Sequence, residues 1–293
     1  MTALPAFFAP YQDAINRALE RVVPGEPAST SGGAPAVIEA MRYTLLAPSK
    51  RVRAVLVMLS ADICGNHSRA LPAACAIEAV HAASLMLDDL PSMDDAPLRR
   101  GRPSAHRQFG EAIAILAAFG LLNNAFGHLS REYDAVLATR LVTLLADAVG
   151  LDGLVAGQAE DVLATESMLS FETLERIHRR KTGVLFGASA TAGALTAGGS
   201  ERDIAVLTAY AKNLGLAFQV VDDLLDVTGS SEETGKVTRQ DARKTTFVSF
   251  SGVEGARALA EELCRTACAA LEPFGRRGAH LRELADFVAS RRL

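Results

Sequence analysis

Long apolar segments at helical spacing constrain the fold of this chain more than any other feature. From Ala36 onward these segments alternate with short breaks, and no run of β-branched residues shows the period of two that strands require. The sequence therefore predicts an all-α fold. The predicted helices are Pro10–Val23, Arg53–Cys64, Pro72–Asp89, Glu111–Leu129, Asp134–Val149, Gly153–Glu166, Phe171–Leu195, Ser200–Thr228 and Gly255–Leu271.

The helix Pro72–Asp89 is mostly apolar, yet it leads directly into a cluster of carboxylates. The cluster consists of Asp88, Asp89, Asp94 and Asp95. Two carboxylates about 4 Å apart repel by about 1 kcal/mol in water and about 4 kcal/mol at an effective dielectric of about 20, so the crowding needs a compensating cation. Oxygen ligands without His or Cys favour a hard ion such as magnesium. A solvated acidic turn is the alternative, but it does not explain the apolar helix before the cluster.

Two neighbouring residues relate to this cluster by their positions. Pro91 cannot donate to the carbonyl of Leu87, so the helix is predicted to end there, and the break lets Asp94 approach Asp88. His81 lies seven residues before Asp88 and shares its helical face. That alignment favours a ligand contact for His81 over the usual role of a satisfied core histidine.

A second acidic motif lies on the helix Ser200–Thr228. Gln219, Asp222 and Asp226 fall at i, i+3 and i+7, on one face, with Asp223 beside them in an apolar setting. Two such motifs can face each other across a cavity. Three divalent ions would neutralise about six carboxylates and leave a bound diphosphate to be met by Arg and Lys.

Cations that suit phosphate oxygens occur in several places. They are Lys50, Arg51 and Arg53 at a predicted helix start, Arg99 and Arg100 after the first motif, Lys181 in an apolar helix, and Lys236, Arg239, Arg243 and Lys244 in the polar loop Gly229–Lys244. Arginine presents a forked donor that matches phosphate oxygens, and a lysine in an apolar segment needs an anion. For the group at Lys50, a surface patch is an equally good interpretation.

Composition narrows the class of protein. The net charge of -4 and the absence of Trp provide no basic or aromatic surface for nucleic acid. The first residues lack the charged start and apolar run of a signal peptide, which predicts a cytoplasmic protein. The longest apolar runs, such as Ala112–Leu122, are interpreted as buried helices too short to span a membrane. We expect a single domain over residues 1–293, with an N-terminal helix and loop in residues 1–35.

Several motifs together resemble the trans-prenyl diphosphate synthases. The stretches HAASLMLDD, RRGRPSAH, FGEAIAILAA and TGKVTRQDARK are similar to those of bacterial carotenoid-type geranylgeranyl diphosphate synthases, and the likeness runs from about Ala36 to Arg257. The resemblance implies an isoprenoid synthase fold, a bundle of long helices around a deep central cavity, and a homodimer. It also implies condensation of isopentenyl diphosphate with an allylic diphosphate that is dimethylallyl, geranyl or farnesyl diphosphate.

The resemblance implies roles for individual residues. The implied ligands of three magnesium ions are Asp88, Asp89, Asp94, Asp222, Asp223 and Asp226. The residues implied to bind the allylic diphosphate are Arg99, Lys181, Thr182, Gln219, Lys236 and Lys244. Those implied to bind isopentenyl diphosphate are Lys50, Arg53, His81 and Arg100. The catalytic set is Asp88, Asp89, Asp94, Lys181, Thr182, Gln219 and Asp222. The chain departs from the family at Pro48-Ser49, where relatives carry Gly-Gly, and at Ala54, where they carry Pro.

The resemblance implies that product length depends on residues one turn before Asp88, where the growing tail should pass. Ala83 and Ser84 are small, which leaves room for a growing chain and favours the twenty-carbon product, geranylgeranyl diphosphate. A farnesyl diphosphate synthase is the nearest alternative. A terpene cyclase would not need the cations at Lys50 and Arg53 for a second diphosphate, and a non-catalytic subunit is expected to have lost aspartates that this chain retains.

Overall fold

The computed structural model of the chain describes residues 4–23, 35–164, 169–228 and 245–291. Within these residues the fold is all-α, as the sequence predicts, with one short β-ribbon. The helices are α1 Phe8–Val22, α2 Pro35–Leu45, α3 Val52–Cys64, α4 Leu71–Asp88, α5 Ala105–Phe109, α6 Glu111–Glu132, α7 Ala135–Val149, α8 Leu154–Leu163, α9 Phe171–His178, α10 Val184–Thr196, α11 Glu201–Thr228, α12 Phe247–Ala270 and α13 Ala279–Ala289. A π-helical turn, Arg179–Gly183, joins α9 to α10, and a 3₁₀ segment, Glu272–Gly278, joins α12 to α13.

The observed helices differ from the predicted ones in two long segments. The segment predicted as one helix, Phe171–Leu195, is divided by the π-helical turn. The last long helix begins at Phe247 rather than at Gly255, because Thr246 and Ser249 form a capping box there and the helix continues through a kink at Gly252. Helices α5 and α13 are not among the predicted ones.

Helix α4 lies in the interior of the bundle. It packs against α3 and α6, while α10 packs against both α3 and α11. Residues 73–80 of α4 are buried without interruption, as expected for a helix that is apolar on all sides. Helix α4 therefore carries its terminal aspartates into the centre of the bundle.

Two tyrosines fix helices that position the site. The Tyr133 hydroxyl donates to the carbonyl of Arg69 at 2.6 Å and accepts the backbone N–H of Ala73 at 3.0 Å, which satisfies a free donor in the first turn of α4. The Tyr210 hydroxyl on α11 donates to the carbonyl of Leu281 at 2.6 Å. The second bond holds α13, and with it the C-terminal end of the chain, against α11.

A short β-hairpin with a two-residue turn follows the first acidic motif. Strand β1, Leu98–Arg99, pairs antiparallel with β2, Arg102–Pro103. Arg100 and Gly101 form the turn with φ of 55° and 73°, the two positive values that the tightest hairpin turns require. The turn brings Arg99 and Arg100 back toward the end of α4.

In the part of the chain that the structure describes, three helices are long and apolar enough, judged by length and composition alone, to cross a membrane. They are α4, α6 and α11. The prediction that the run Ala112–Leu122 is too short to span a membrane is wrong for α6, because the helix continues to Glu132. The most apolar stretches of α4 and α11 are 61% and 50% buried in the bundle, against 33% for α6. Helix α6 therefore presents the most exposed apolar face of the three.

Candidate active site

The first acidic motif folds back on itself at the end of α4. The backbone N–H of Asp94 donates to the carbonyl of Asp88 at 2.9 Å. This contact confirms that the break at Pro91 brings Asp94 to Asp88. Asp95, in contrast, is exposed, and its carboxylate accepts a hydrogen bond from Arg107 at 2.9 Å.

Asp88 and Asp89 have different electrostatic environments. Asp89 is 2% exposed, and Arg99 Nε donates to its two carboxylate oxygens at 2.9 and 3.1 Å. Burial is the main reason that the pKa of Asp88 is raised to about 6, while Lys181 opposes the rise and Asp94 adds to it. The charge of Asp89 is therefore balanced by Arg99. A cation bound at Asp88 would stabilise the charged form of that carboxyl group.

An amide connects the second acidic motif to the segment that carries Lys181 and Thr182. Thr182 Oγ1 donates to Gln219 Oε1 at 3.0 Å, and Gln219 Nε2 donates to Asp223 Oδ1 at 3.0 Å. The other oxygen of Asp223, which is 4% exposed, accepts the backbone N–H of Phe247 at 3.0 Å. Asp223 therefore ties α11 to the start of α12 and fixes the orientation of Gln219.

Lys181 lies in the π-helical turn Arg179–Gly183, a feature that often marks functional sites. Its Nζ donates to Asp161 Oδ2 on α8 at 2.7 Å. Helix α8 approaches the turn closely at Gly157, where an added Cβ would lie 2.4 Å from the backbone N of Lys181. The glycine therefore permits the approach that brings Asp161 to Lys181.

The predicted isopentenyl diphosphate residues gather where α3 begins and α4 passes it. Arg53 Nη1 lies 3.3 Å from His81 Nε2, and the Arg53 guanidinium carbon lies 4.7 Å from the ring centre of Phe186. Burial and then the charge of Arg53 lower the pKa of His81 well below its usual value, so the neutral imidazole accepts a hydrogen bond from Arg53. Burial and then the charge of Arg291 lower the pKa of Lys50. Such a group of partly buried cations fits an anionic ligand.

Arg100 belongs to the same group. Its Nη1 lies 3.5 Å from the carbonyl of Ala47, in the segment before α3, and its charge contributes to the lowered pKa of His81. The structure thus brings Arg53, His81 and Arg100 together, whereas Lys50 Nζ lies 5.3 Å from the ring centre of Phe287 on α13. Lys236 and Lys244, predicted for the allylic diphosphate, lie outside the described residues.

Arg291 is a site residue that the sequence reasoning missed. Its Nη1 donates to Asp222 Oδ1 at 2.8 Å, and its guanidinium carbon lies 4.5 Å from the ring centre of Phe218. The guanidinium carbon of Arg53 lies 5.9 Å from the same ring. The only sequence signal for Arg291 is an adjacent pair of arginines near the C terminus, a pattern that is usually part of a solvated surface.

The donor chemistry of the two acidic motifs fits magnesium, because they supply carboxylate oxygens only. Among the described residues, no three His, Cys, Asp or Glu side chains stand close enough to hold an ion together. Instead Asp89 pairs with Arg99, Asp222 with Arg291, and Asp223 with groups on α11 and α12. The Asp222 carboxylate therefore already has a cationic partner within the protein.

Comparison with known proteins decides the family. Residues 34–267 match the family model described as polyprenyl synthetase. The chain belongs to the polyprenyl synthetase family. This polyprenyl synthetase is therefore a trans-prenyltransferase, and the isoprenoid synthase fold that the motifs implied is confirmed.

Relatives of this polyprenyl synthetase are similar along most of its length. It is 43% identical over 286 residues to the chloroplastic geranylgeranyl pyrophosphate synthase of Capsicum annuum, an alignment that covers 94% of this chain and 76% of the relative. Its fold matches an FPP/GFPP synthase from Zymomonas mobilis with a TM-score of 0.85 and 34% identity, covering 97% of this chain and 98% of that one. A geranyltransferase from Helicobacter pylori, solved with magnesium and isoprenyl diphosphate, gives a TM-score of 0.83 at 28% identity and 98% coverage of both chains.

Proposed function

We propose that this polyprenyl synthetase condenses isopentenyl diphosphate with an allylic diphosphate and that its product is geranylgeranyl diphosphate. The similarity to a plant geranylgeranyl pyrophosphate synthase supports this product. The small, buried Ala83 one turn before Asp88 is the structural observation that carries it. Such a product would serve carotenoid or diterpenoid synthesis.

The path of the growing chain runs from Asp88 into the bundle along α4. Ala83 is 3% exposed, and Ser84 beside it is partly buried. Deeper in the bundle, an apolar pocket between α4, α6, α7 and α10 is lined on α4 by Ala73 and Ala76. Ala76 precedes Asp88 by 12 residues, which is about 18 Å of helix at about 1.5 Å per residue. The small side chains of Ala83 and Ser84 support a path for a long product, whereas Ile77 and four leucines of α6 and α7 also line the deeper pocket.

Magnesium supplies Lewis-acid stabilisation to the departing diphosphate when it is bound. Three ions are proposed, and their proposed ligands are the partly exposed carboxylates Asp88, Asp94, Asp222 and Asp226. Asp89 and Asp223 are 2% and 4% exposed and have protein partners. We therefore assign these two carboxylates to the orientation of Arg99 and Gln219.

Lys181 and Arg99 are proposed to bind the allylic diphosphate. Each side chain is held by a carboxylate, Asp161 in one case and Asp89 in the other, so both cations are fixed before substrate arrives. Preorganised cations stabilise negative charge as it develops on a leaving group. Thr182 and Gln219 are proposed to place oxygens near the nascent carbocation. Lys236 and Lys244 are also proposed to bind the allylic diphosphate.

Lys50, Arg53, His81 and Arg100 are proposed to bind isopentenyl diphosphate. Burial lowers the pKa of Arg53 to about 10, which still leaves the side chain charged at neutral pH. The contact of Arg53 with the ring of Phe186 holds the guanidinium in place by a cation–π interaction. The group thus offers fixed positive charge to a second diphosphate.

An exposed apolar face on α6 supports a homodimer. Ile115, Leu116 and Phe119 are 44%, 56% and 73% exposed and lie at i, i+1 and i+4 on one side of the helix. Grouped large apolar residues on a surface mark interaction sites. A twofold axis would pair this face with the same face of a second copy.

We further propose a cytoplasmic protein without a membrane span or a nucleic acid partner. Two of the three long apolar helices, α4 and α11, pack inside the bundle and carry the acidic motifs near their C-terminal ends. A helix with carboxylates in a catalytic site is better explained as part of a soluble bundle than as a membrane span. The net charge of -4 gives no basic surface for nucleic acid.

Product analysis tests the proposed function. The purified protein is incubated with magnesium, isopentenyl diphosphate and each allylic starter in turn, and chain length is determined by mass spectrometry after dephosphorylation. A twenty-carbon alcohol is expected. A fifteen-carbon alcohol alone would establish the second candidate, a farnesyl diphosphate synthase, which the FPP/GFPP synthase structure favours. Absence of prenyl transfer would indicate a non-catalytic subunit. A cyclic hydrocarbon formed from an allylic diphosphate alone would indicate a terpene cyclase.

A further inference from the structure

We propose that Glu78 is a positioning residue that joins the two halves of the isopentenyl diphosphate site, an inference that rests on the proposed function. Glu78 lies on α4, three residues before His81, and is 1% exposed. A carboxylate buried to this extent needs charged or hydrogen-bonding partners. Its partners come from both segments that supply cations to the site.

One carboxylate oxygen of Glu78 is approached from both halves. Arg51 Nη1 donates to Oε1 at 2.8 Å, and Ser49 Oγ lies 3.4 Å from the same oxygen. Ser49 and Arg51 flank Lys50 in the segment before α3. Arg100 Nη2, on the hairpin after the first acidic motif, lies 4.0 Å from Oε1. The Glu78 carboxylate therefore sits between the segment of Lys50 and the hairpin of Arg100.

Arg51 transmits this link to the backbone before α3. Its Nη2 donates to the carbonyls of Leu45 and Ala47 at 2.8 and 3.1 Å, and its Nε donates to Asn16 Oδ1 at 3.0 Å. Arg51 is 3% exposed, so its guanidinium is used inside the protein. Arg51 thus fixes the course of the chain, and the neighbouring cations remain for the substrate.

Backbone conformation supports a shared role for the two arginines that approach Glu78. Arg51 and Arg100 adopt φ of 54° and 55°, in the left-handed region. This region is unfavourable for a residue other than glycine. Glycine would adopt this conformation more readily, yet both positions carry arginine. Their common neighbour is Glu78.

The charge of Glu78 also offsets repulsion within the site. Burial lowers the pKa of Arg53 and of Arg100, and the carboxylate of Glu78 acts in the opposite direction on both. Without a negative charge at this point, Arg100 and the cations before α3 would repel each other. Removing the charge should therefore weaken binding of isopentenyl diphosphate in particular.

The Glu78→Gln variant tests the inference because it keeps the shape and removes the charge. We expect KM for isopentenyl diphosphate to rise about tenfold or more, with KM for the allylic diphosphate changed by less than about twofold. Glu201→Gln is the matched control, since Glu201 forms a surface ion pair with Arg140 at 3.4 Å. Its kinetic constants should equal those of the wild type. Calorimetric titration with isopentenyl diphosphate measures the same loss without turnover.

A double variant separates positioning from stability. Breaking a buried ion pair destabilises a protein, whereas replacing both partners by apolar groups often does not. The variant Arg51→Met/Glu78→Leu should therefore regain thermal stability lost in Glu78→Gln and still bind isopentenyl diphosphate weakly. Recovery of wild-type affinity together with stability would overturn the inference, as would equal changes in both KM values. Absence of prenyl transfer in the wild type would overturn the proposed function instead.

Discussion

Arg291, near the C-terminal end of the chain, donates a hydrogen bond to Asp222 in the second acidic motif, with 2.8 Å between Nη1 and Oδ1. The two side chains are 14% and 34% exposed, and the guanidinium also lies over the ring of Phe218. The carboxylate proposed to bind magnesium therefore has a cation of the protein as its partner. A magnesium ion at Asp222 would therefore compete with the charge of Arg291 for this carboxylate.

Replacing Arg291 by Met should lower the magnesium concentration needed for half-maximal activity. Met keeps apolar contact with Phe218 and removes the competing charge. A partly exposed ion pair contributes up to about 1 kcal/mol, which corresponds to about fivefold in an equilibrium constant. Turnover at saturating substrates is measured against magnesium concentration, with the exposed Arg276→Met as control. An unchanged or higher magnesium requirement would show that the pair does not compete with the metal.

Asp88→Asn should stabilise the metal-free protein while it abolishes turnover. The pKa of Asp88 is raised from 3.8 to about 6, so the folded state binds the proton more tightly than the unfolded state and stability falls as pH rises through this range. Above pH 6 the variant should be more stable than the wild type by about 1 to 3 kcal/mol. Below pH 4 the difference should vanish. Denaturant unfolding at several pH values measures it.

Activity is measured on the same Asp88→Asn preparation. Turnover should fall about 100-fold or more, because a proposed magnesium ligand is lost. The control is Asp95→Asn, because Asp95 is exposed and its carboxylate accepts a hydrogen bond from Arg107, away from Asp88. Near-normal turnover in Asp88→Asn would exclude Asp88 as a metal ligand.

Gly157→Ala should impair both folding and catalysis. The new Cβ would lie 2.4 Å from the backbone N of Lys181 and 2.8 Å from Cβ of Arg180, so α8 must move away and the contact of Asp161 with Lys181 lengthens. We expect a loss of about 1 to 3 kcal/mol in stability and about tenfold or more in turnover. Gly187→Ala is the control, because its Cβ would meet no atom within 4 Å. A Gly157→Ala variant as active as the control would contradict this role.

Ala83→Phe should shorten the product. Ala83 is 3% exposed inside the bundle, and a phenyl ring there would fill the space through which the chain is proposed to grow. The expected change is from twenty carbons to fifteen, with the total rate of isopentenyl transfer less affected than the product length. Ala135→Phe, at an exposed position that begins α7, is the control. An unchanged product in Ala83→Phe would place the end of the channel elsewhere.

Phe119→Glu should convert the proposed homodimer to a monomer. A carboxylate at a position that is 73% exposed has little effect on the isolated fold, but a pair of them at a twofold interface would be buried and would repel. Light scattering coupled to gel filtration measures the mass. Asn123→Glu, one turn further along α6, tests the extent of the face. A wild-type protein that is monomeric at micromolar concentration would exclude the dimer.

Much of the site follows from local rules that a sequence displays. The break that returns Asp94 to Asp88 depends on Pro91, and the Ser170 side chain caps α9 by accepting the backbone N–H of Thr173 at 3.2 Å. Both effects act within a few residues. Helical periodicity likewise places the long helices to within a few residues of their observed ends, apart from the two segments described above.

Other parts of the site depend on tertiary contacts. Arg291 and Asp222 are 69 residues apart in the chain. They meet because α13 packs on α11, where the Tyr210 hydroxyl donates to the carbonyl of Leu281. The different roles of neighbouring aspartates are also invisible in the sequence. Asp88 and Asp89 are the same residue type side by side, and only their tertiary surroundings, Arg99 at Asp89 and Lys181 and Asp94 at Asp88, distinguish them.

The π-helical turn Arg179–Gly183 limits changes in chain length as well as changes in residue type. Its hydrogen bonds enclose one residue more than those of an α-helix. A deletion that restored the α pattern would rotate α9 relative to α10 by about 100°, and Lys181 would lose its register with Asp161. Insertions and deletions here are therefore expected to be far more harmful than in the loops, even where each single substitution is tolerated.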